Sequence, residues 1–308
     1  MDKRQSIDAV RKAHPVDAML FGDMGAVAAH LCEDLSNAFI GKQFDFMDIG
    51  EFQALKTPAK MNRIYWREIL FRVHWAAALN IMRHQRWQAA CISAFNAPPN
   101  FWAFAASLRG LLEGSQDAWY SLGSVVATLA QERTRLESAL TGRLANAIWI
   151  NPEFEERLIH FVYARRIGKE QQEMTPKAHR AREPKDYRNA IGLPEERRDA
   201  FRLLYDHLCG ICHPTAFSLA PFSEQIGDNS IQIRAAQDSV EIQALCREYE
   251  PVVTDCLSLS VTTSALCLKA LNWFPLSEVK CDDVERWNFD DVPAWRKARV
   301  AVSAGIVH

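Results

Sequence analysis

Arg109 and Glu113 stand four apart in the stretch SLRGLLEGSQDAWY, so on a helix they share a face and can pair across one turn. Their neighbours are apolar, and a charge among apolar side chains is costly unless it has a partner. The pair reads in two ways, as a structural ion pair or as a group that recognises a ligand. A second concentration of chemistry is RLLYDHLCGICHPT, from Arg202 to Thr215. At about 100° per residue, Arg202, Asp206, Cys209 and His213 fall on one helical stripe. His213 precedes Pro214 at a helix C-terminus, where the dipole favours a protonated imidazole. A satisfied polar contact and a catalytic role both stay open for it. Arg202 and His207 carry Arg-x4-His spacing, and such a pair can cleave RNA without metal: His moves a proton while Arg steadies the phosphate charge. The spacing alone carries little. With four to six intervening residues it occurs at Arg202/His207 and again at Arg67/His74, about as often as chance placement allows. Positions five apart on a helix also diverge by about 140°.

Cys209-Gly-Ile-Cys212-His213 matches a haem c attachment pattern by letter. It lies late in a helix, and haem c is attached outside the cytoplasm, so haem is not expected. A Cys-x-x-Cys redox pair wants a βαβ setting, and zinc wants a second ligand pair; Cys246, Cys256 and Cys281 are scattered. No metal and no cofactor is expected. Phosphate-loop, nucleophile-elbow and His-Glu-x-x-His patterns do not occur.

The elements that must position these groups are helical. Thirteen Gly and thirteen Pro in 308 residues are few, which argues for long helices and few hairpins. Helical spacing of apolar residues runs from Met61 to Phe95, ended by Asn96–Asn100 with its two prolines. A second helix is predicted from Phe101 to about Leu140, with Gly110 and Gly114 admitting a neighbour closely. Shorter helices follow at 153–166 and 195–212, one hairpin at 221–235, and a long helix at 239–274 kinked at Pro251. His14-Pro15 separates two N-terminal helices, with Asp17 as a cap; residues 41–60 read as connection. The expected fold is all-α: one domain over 1–308, with N-terminal helices and connection at 1–60, a core bundle at 61–275 and a docked tail at 276–308.

A 48% hydrophobic share offsets chain entropy and excludes a disordered chain. Formal net charge is −2, yet Arg157 to Arg202 holds twelve Lys/Arg against seven Asp/Glu. That excess reads either as a solvated surface or as a polyanion contact, with RNA as the partner. The N-terminus has no uninterrupted apolar run, and the uncharged stretch between Asp255 and Lys269 is shorter than a bilayer span. A cytoplasmic protein with reduced cysteines and no membrane span is expected.

SLRGLLEGSQDAWY followed by YDHLCGICHPTAFSL resembles a group of uncharacterised bacterial helical proteins with an Arg-x-x-x-Glu helix and a Tyr-rich helix ending in His-Pro-Thr or His-Pro-Ser. More remotely, it is similar to the HEPN superfamily of helical domains, found in toxins and phage-defence systems. The likeness covers roughly Trp75–Tyr249. It implies a helical, often dimeric protein, with the group's motif on Arg109, Glu113, Tyr205 and His213. The HEPN ribonuclease motif would fall on Arg202 and His207, although Leu203 stands where active members carry a polar residue. Two functions are expected in turn: an RNA-directed, metal-independent ribonuclease or RNA-binding relative used in defence or stress, and a non-enzymatic module that binds a partner protein or ligand through a polar pocket.

Overall fold

Residues 6–96 and 98–304 are described by a computed structural model. Helix α1 (Ile7–Ala13) starts on Ser6, whose hydroxyl accepts from the Ala9 amide. His14 ends it and Pro15 opens α2 (Pro15–Ser36), the break read from His14-Pro15. Asp17 is not the cap: His14 takes that position without a side-chain hydrogen bond. Inside α2, Gly22 adopts φ 65°, a left-handed conformation that bends the helix and that a side chain would disfavour. The connection after it contains a short helix, α3 (Ile49–Gln53), capped by Asp48.

Helix α4 (Pro58–Asn96) is the axis of the fold, with Trp66, Ile69, Val73, Ala77 and Ile81 fully buried. After the proline turn, Asn100 caps α5 (Phe101–Leu122) by accepting from the Ala103 amide at 2.9 Å. Gly110 explains the close pairing of these two helices, since a Cβ there would sit 2.6 Å from the Trp87 ring. The helix expected to continue to Leu140 instead breaks at the weak helix formers Gly123 and Ser124, giving α6 (Val125–Gln131) and α7 (Arg133–Leu140).

Next come α8 (Pro152–Tyr163), α9 (Pro184–Asn189), α10 (Glu195–Cys212) and α11 (Ala216–Leu219). The hairpin pairs β1 (Ser223–Gly227) with β2 (Ser230–Ile233), antiparallel. The helix expected at 239–274 is divided into α12 (Asp238–Glu248), α13 (Glu250–Leu257) and α14 (Thr263–Leu271), with a wide π turn at Ser258–Thr262. Pro251 sits in the first turn of α13, where its missing N–H costs nothing. By length and composition Glu250–Leu271 could cross a bilayer, but 72% of its most apolar window is buried in the protein.

The tail docks through both tryptophans: Trp287 is fully buried and Trp295 stacks on Trp273 at 5.2 Å, ahead of and within α15 (Pro293–Ala304). The fold is mostly α with one small hairpin, as composition implied.

Lys269 holds the tail. Its buried Nζ donates to the Trp287 carbonyl at 2.9 Å and pairs with Glu285 at 3.1 Å. Lys269→Ala should cost about 3 kcal/mol, because it strands buried carbonyls. Urea unfolding measures this, and limited proteolysis should then cut the tail first; an unchanged midpoint removes the assignment.

Candidate functional site

Helices α5 and α10 meet at the first group read from the sequence. Arg109 Nε donates to Glu113 Oε1 at 3.0 Å, and Nη2 donates to the Tyr205 hydroxyl at 3.4 Å. The guanidinium also lies over the Tyr205 ring, 5.2 Å from its centre. Burial pushes the Tyr205 hydroxyl up, reinforced by Cys209 one turn on, and burial raises the Cys212 thiol as well. Glu113 remains 41% exposed, so this is a half-open seam whose ion pair is screened by water. His213 does not join the other three. It is exposed at the end of α10, its amide donating to the Cys209 carbonyl, and its ring makes no hydrogen bond, ion pair or ring contact among the described residues.

Arg202 and His207 are held separately. Arg202 lies exposed between two carboxylates, Asp199 at 3.5 Å and Asp206 at 3.3 Å. His207 turns the other way, its Nδ1 3.1 Å from the Tyr249 hydroxyl and its ring near Phe217. The divergence follows from five-residue spacing on a continuous helix.

A cavity lined mainly by aromatic side chains lies elsewhere and was not read from the sequence. This cavity, of about 440 Å³, is walled by His74, Trp75 and Leu79 of α4, by Phe44 and Phe46 of the preceding connection, and by Tyr163 at the end of α8. Trp75 meets Tyr163 edge-on at 6.1 Å and Phe46 at 6.2 Å. Lys42 is its cation, and no Asp or Glu lines it. The signal was the alternation Lys42-x-Phe44-x-Phe46, the period of an extended segment with one face inward. The Lys42 ammonium can only donate, so His74 Nε2, 3.3 Å away, accepts. Burial, and then the Lys42 charge, lower the His74 pKa to about 3, so the ring is neutral. Its buried Nδ1 has no hydrogen-bond partner.

Tyr163 also stacks on His179 at 5.5 Å, which ties this cavity to the basic stretch. Arg165 pairs with Arg180 through a parallel bridge. A hydrogen-bonded chain anchors the stretch to α8: the Arg182 amide donates to Tyr187, whose hydroxyl lies 2.8 Å from His160 Nε2, while His160 Nδ1 donates to the Ala178 carbonyl at 3.1 Å. Burial lowers the His160 pKa, consistent with a neutral ring that both accepts and donates. Between 165 and 188 there are eight Lys or Arg and four Asp or Glu, and none of these cations forms an ion pair among the described residues. No family model matches the chain, and no curated protein or solved structure matches it either.

Because folding depresses the His74 pKa to about 3 from an unfolded value of about 6.5, its contribution is complete above the unfolded value and is lost as pH falls toward the folded one. In that window the unfolded chain takes up a proton that the folded chain refuses. His74→Leu should therefore flatten the pH dependence of urea stability there by up to about 1.4 kcal/mol per pH unit. Identical slopes in variant and wild type would contradict a neutral, buried His74.

Proposed function

We propose that this chain is a helical RNA-binding module that captures single-stranded RNA without cutting it. A base enters the aromatic cavity, and the adjoining backbone runs over the cations at 165–188. The observation that carries the reading is Tyr163, which is at once a wall of the cavity beside Trp75 and the stacking partner of His179 in the basic stretch. Single-stranded nucleic acid is held by this combination: aromatic faces that stack bases irrespective of sequence, beside cations that follow the phosphates. The cavity lies within the range of small-ligand sites, and Lys42 without a facing carboxylate suits an anionic strand. The likeness to HEPN domains points toward the same substrate class. Cleavage finds less support, since Arg202 is engaged by Asp199 and Asp206 while His207 faces Tyr249.

Fluorescence anisotropy with a labelled single-stranded RNA in EDTA tests the proposal. Binding should weaken steeply as salt rises. Trp75→Ala should raise Kd about tenfold, the worth of one stacked base. Arg165→Gln with Arg166→Gln should lower the salt slope, while Arg202→Ala and His207→Ala should leave both affinity and RNA length unchanged. Absence of salt-sensitive binding overturns the module. RNA shortening that disappears in either of the last two variants restores the ribonuclease.

A second reading, a protein-binding face, has its own observation. Ile231 and Ile233 are 74% and 87% exposed, and their register opposite Gln225 and Ser223 puts them on one face of the hairpin. Phe217 is 65% exposed nearby in sequence. Monomers seldom leave such apolar groups together in water, and an isolated two-stranded hairpin is only marginally stable. If a second copy covers this face, sedimentation equilibrium should give a dimer that Ile231→Asp with Ile233→Asp converts to monomer. A wild-type monomer at tens of micromolar excludes that copy as the occupant.

A further inference from the structure

The bend in α2 assembles a group that linear spacing hides. In a straight helix, His14 and His30 would lie about 24 Å apart at 1.5 Å per residue. Gly22 folds the helix back, and their ring centres are 5.6 Å apart. Arg11 Nη2 clamps the bend by donating to Asp23 Oδ2 at 2.7 Å. Glu33 stands three residues after His30 on the same face, and its Oε2 is 3.7 Å from His14 Nε2. The ligating atoms of His14, His30 and Glu33 all lie within 4.8 Å of one another. His14 is 9% exposed, and together with Glu33 and Asp17 it borders a cavity of about 310 Å³.

We infer that His14, His30 and Glu33 form a binding site for a divalent transition-metal ion, zinc being the chemically preferred occupant. Two imidazoles and one carboxylate are a zinc donor set with three protein ligands, which leaves a fourth position for water or a further ligand. Tetrahedral zinc with bonds of about 2.0 Å needs donor atoms about 3.3 Å apart, so the His14–Glu33 separation closes by a few tenths of an ångström. Calcium and magnesium prefer all-oxygen shells and fit poorly. The adjoining cavity gives the open position room, with Asp17 as a neighbouring carboxylate. The sequence leads one to expect no metal, because the usual Cys and His ligand spacings are local pairs, whereas His14 joins His30-x-x-Glu33 only through the bend. The site is separate from the aromatic cavity and does not depend on RNA binding.

The test uses the full chain stripped with EDTA and dialysed. Titration calorimetry with Zn²⁺ should give one ion per chain, and Co²⁺ should give visible d–d absorption that Zn²⁺ displaces. Glu33→Gln, at an exposed position that should fold normally, and His14→Ala should each weaken binding at least tenfold, the scale on which metal sites respond even to outer-shell changes. Gly22→Ala should do the same without touching a ligand, because it strains the bend. Circular dichroism checks that each variant is folded, and zinc should raise the Tm of the wild type but not of Glu33→Gln. Cys209→Ser with Cys212→Ser should bind as wild type does. Failure to bind one equivalent overturns the site, as does binding that survives Glu33→Gln or is lost in the double cysteine variant.

Discussion

The close contact of α4 with α5 is the constraint on which the rest of the molecule depends. Helix axes approach closely only where side chains are small, and at Gly110 the Trp87 ring occupies the space a Cβ would fill. With that face sealed, α4 has a limited arc on which to present anything else, and both cavities use it. His74 and Gln85, one from each cavity, are eleven residues apart, which on a helix is about 20° of azimuth and about 16 Å along the axis. One rigid helix therefore carries the aromatic cavity and the His14–Glu33 cavity as neighbours on one side. The tail touches both: the Lys280 carbonyl accepts from Lys42 at 2.7 Å, and Trp287 packs against His30. Stability of the tail and geometry at either cavity are thus linked through packing.

Several polar groups buried beside that contact are matched individually. Asn80 donates to the Ser260 carbonyl and to the Ser260 and Ser264 hydroxyls, joining α4 to the π turn. Arg83 pairs with Asp117 at 2.7 Å, and although burial pushes that carboxyl up, the guanidinium opposes the shift. A partner removed from such a pair leaves an uncompensated group in a low-dielectric interior, so these contacts specify the helix arrangement more than they add net stability. The Arg109–Glu113 pair differs, since water reaches Glu113 and the energy at stake is small. Its stacking on Tyr205 orients the two helices, which is a cohesive role compatible with recognition at the exposed edge.

What could be read from sequence follows from how local each cause is. The ends at Pro15, at Asn96–Asn100 and at Cys212 were legible because proline acts on its own backbone and on the residue before it. The hairpin was legible from alternation about Gly227-Asp228-Asn229. Arg109 and Glu113 could be paired because both lie on one regular helix, where a face can be computed; Tyr205 joined them only through the resemblance. The same calculation misplaces His213, since the chain leaves the helix there and its backbone becomes extended. The Gly22 bend was illegible because it is stabilised by Arg11 and Asp23 across the break rather than by a local stop signal. Phe44 and Phe46 were passed over because a five-residue alternation between helices has no neighbouring strand to reveal which way it faces.

Arg202 and His207 mark the limit of motif arithmetic. On an unbroken α10, four intervening residues turn the two side chains about 140° apart, so one copy of the helix cannot bring both onto the same phosphate. Catalysis by this pair would require the groups from two chains to converge, and Arg202 would have to give up Asp199 and Asp206 to meet a third anion. Both carboxylates are exposed, so releasing them is cheap, but their negative charge would also repel a phosphodiester. The cations between 165 and 188 carry no such guard. On electrostatic grounds an anion is therefore better received near Tyr163 and the aromatic cavity than along α10.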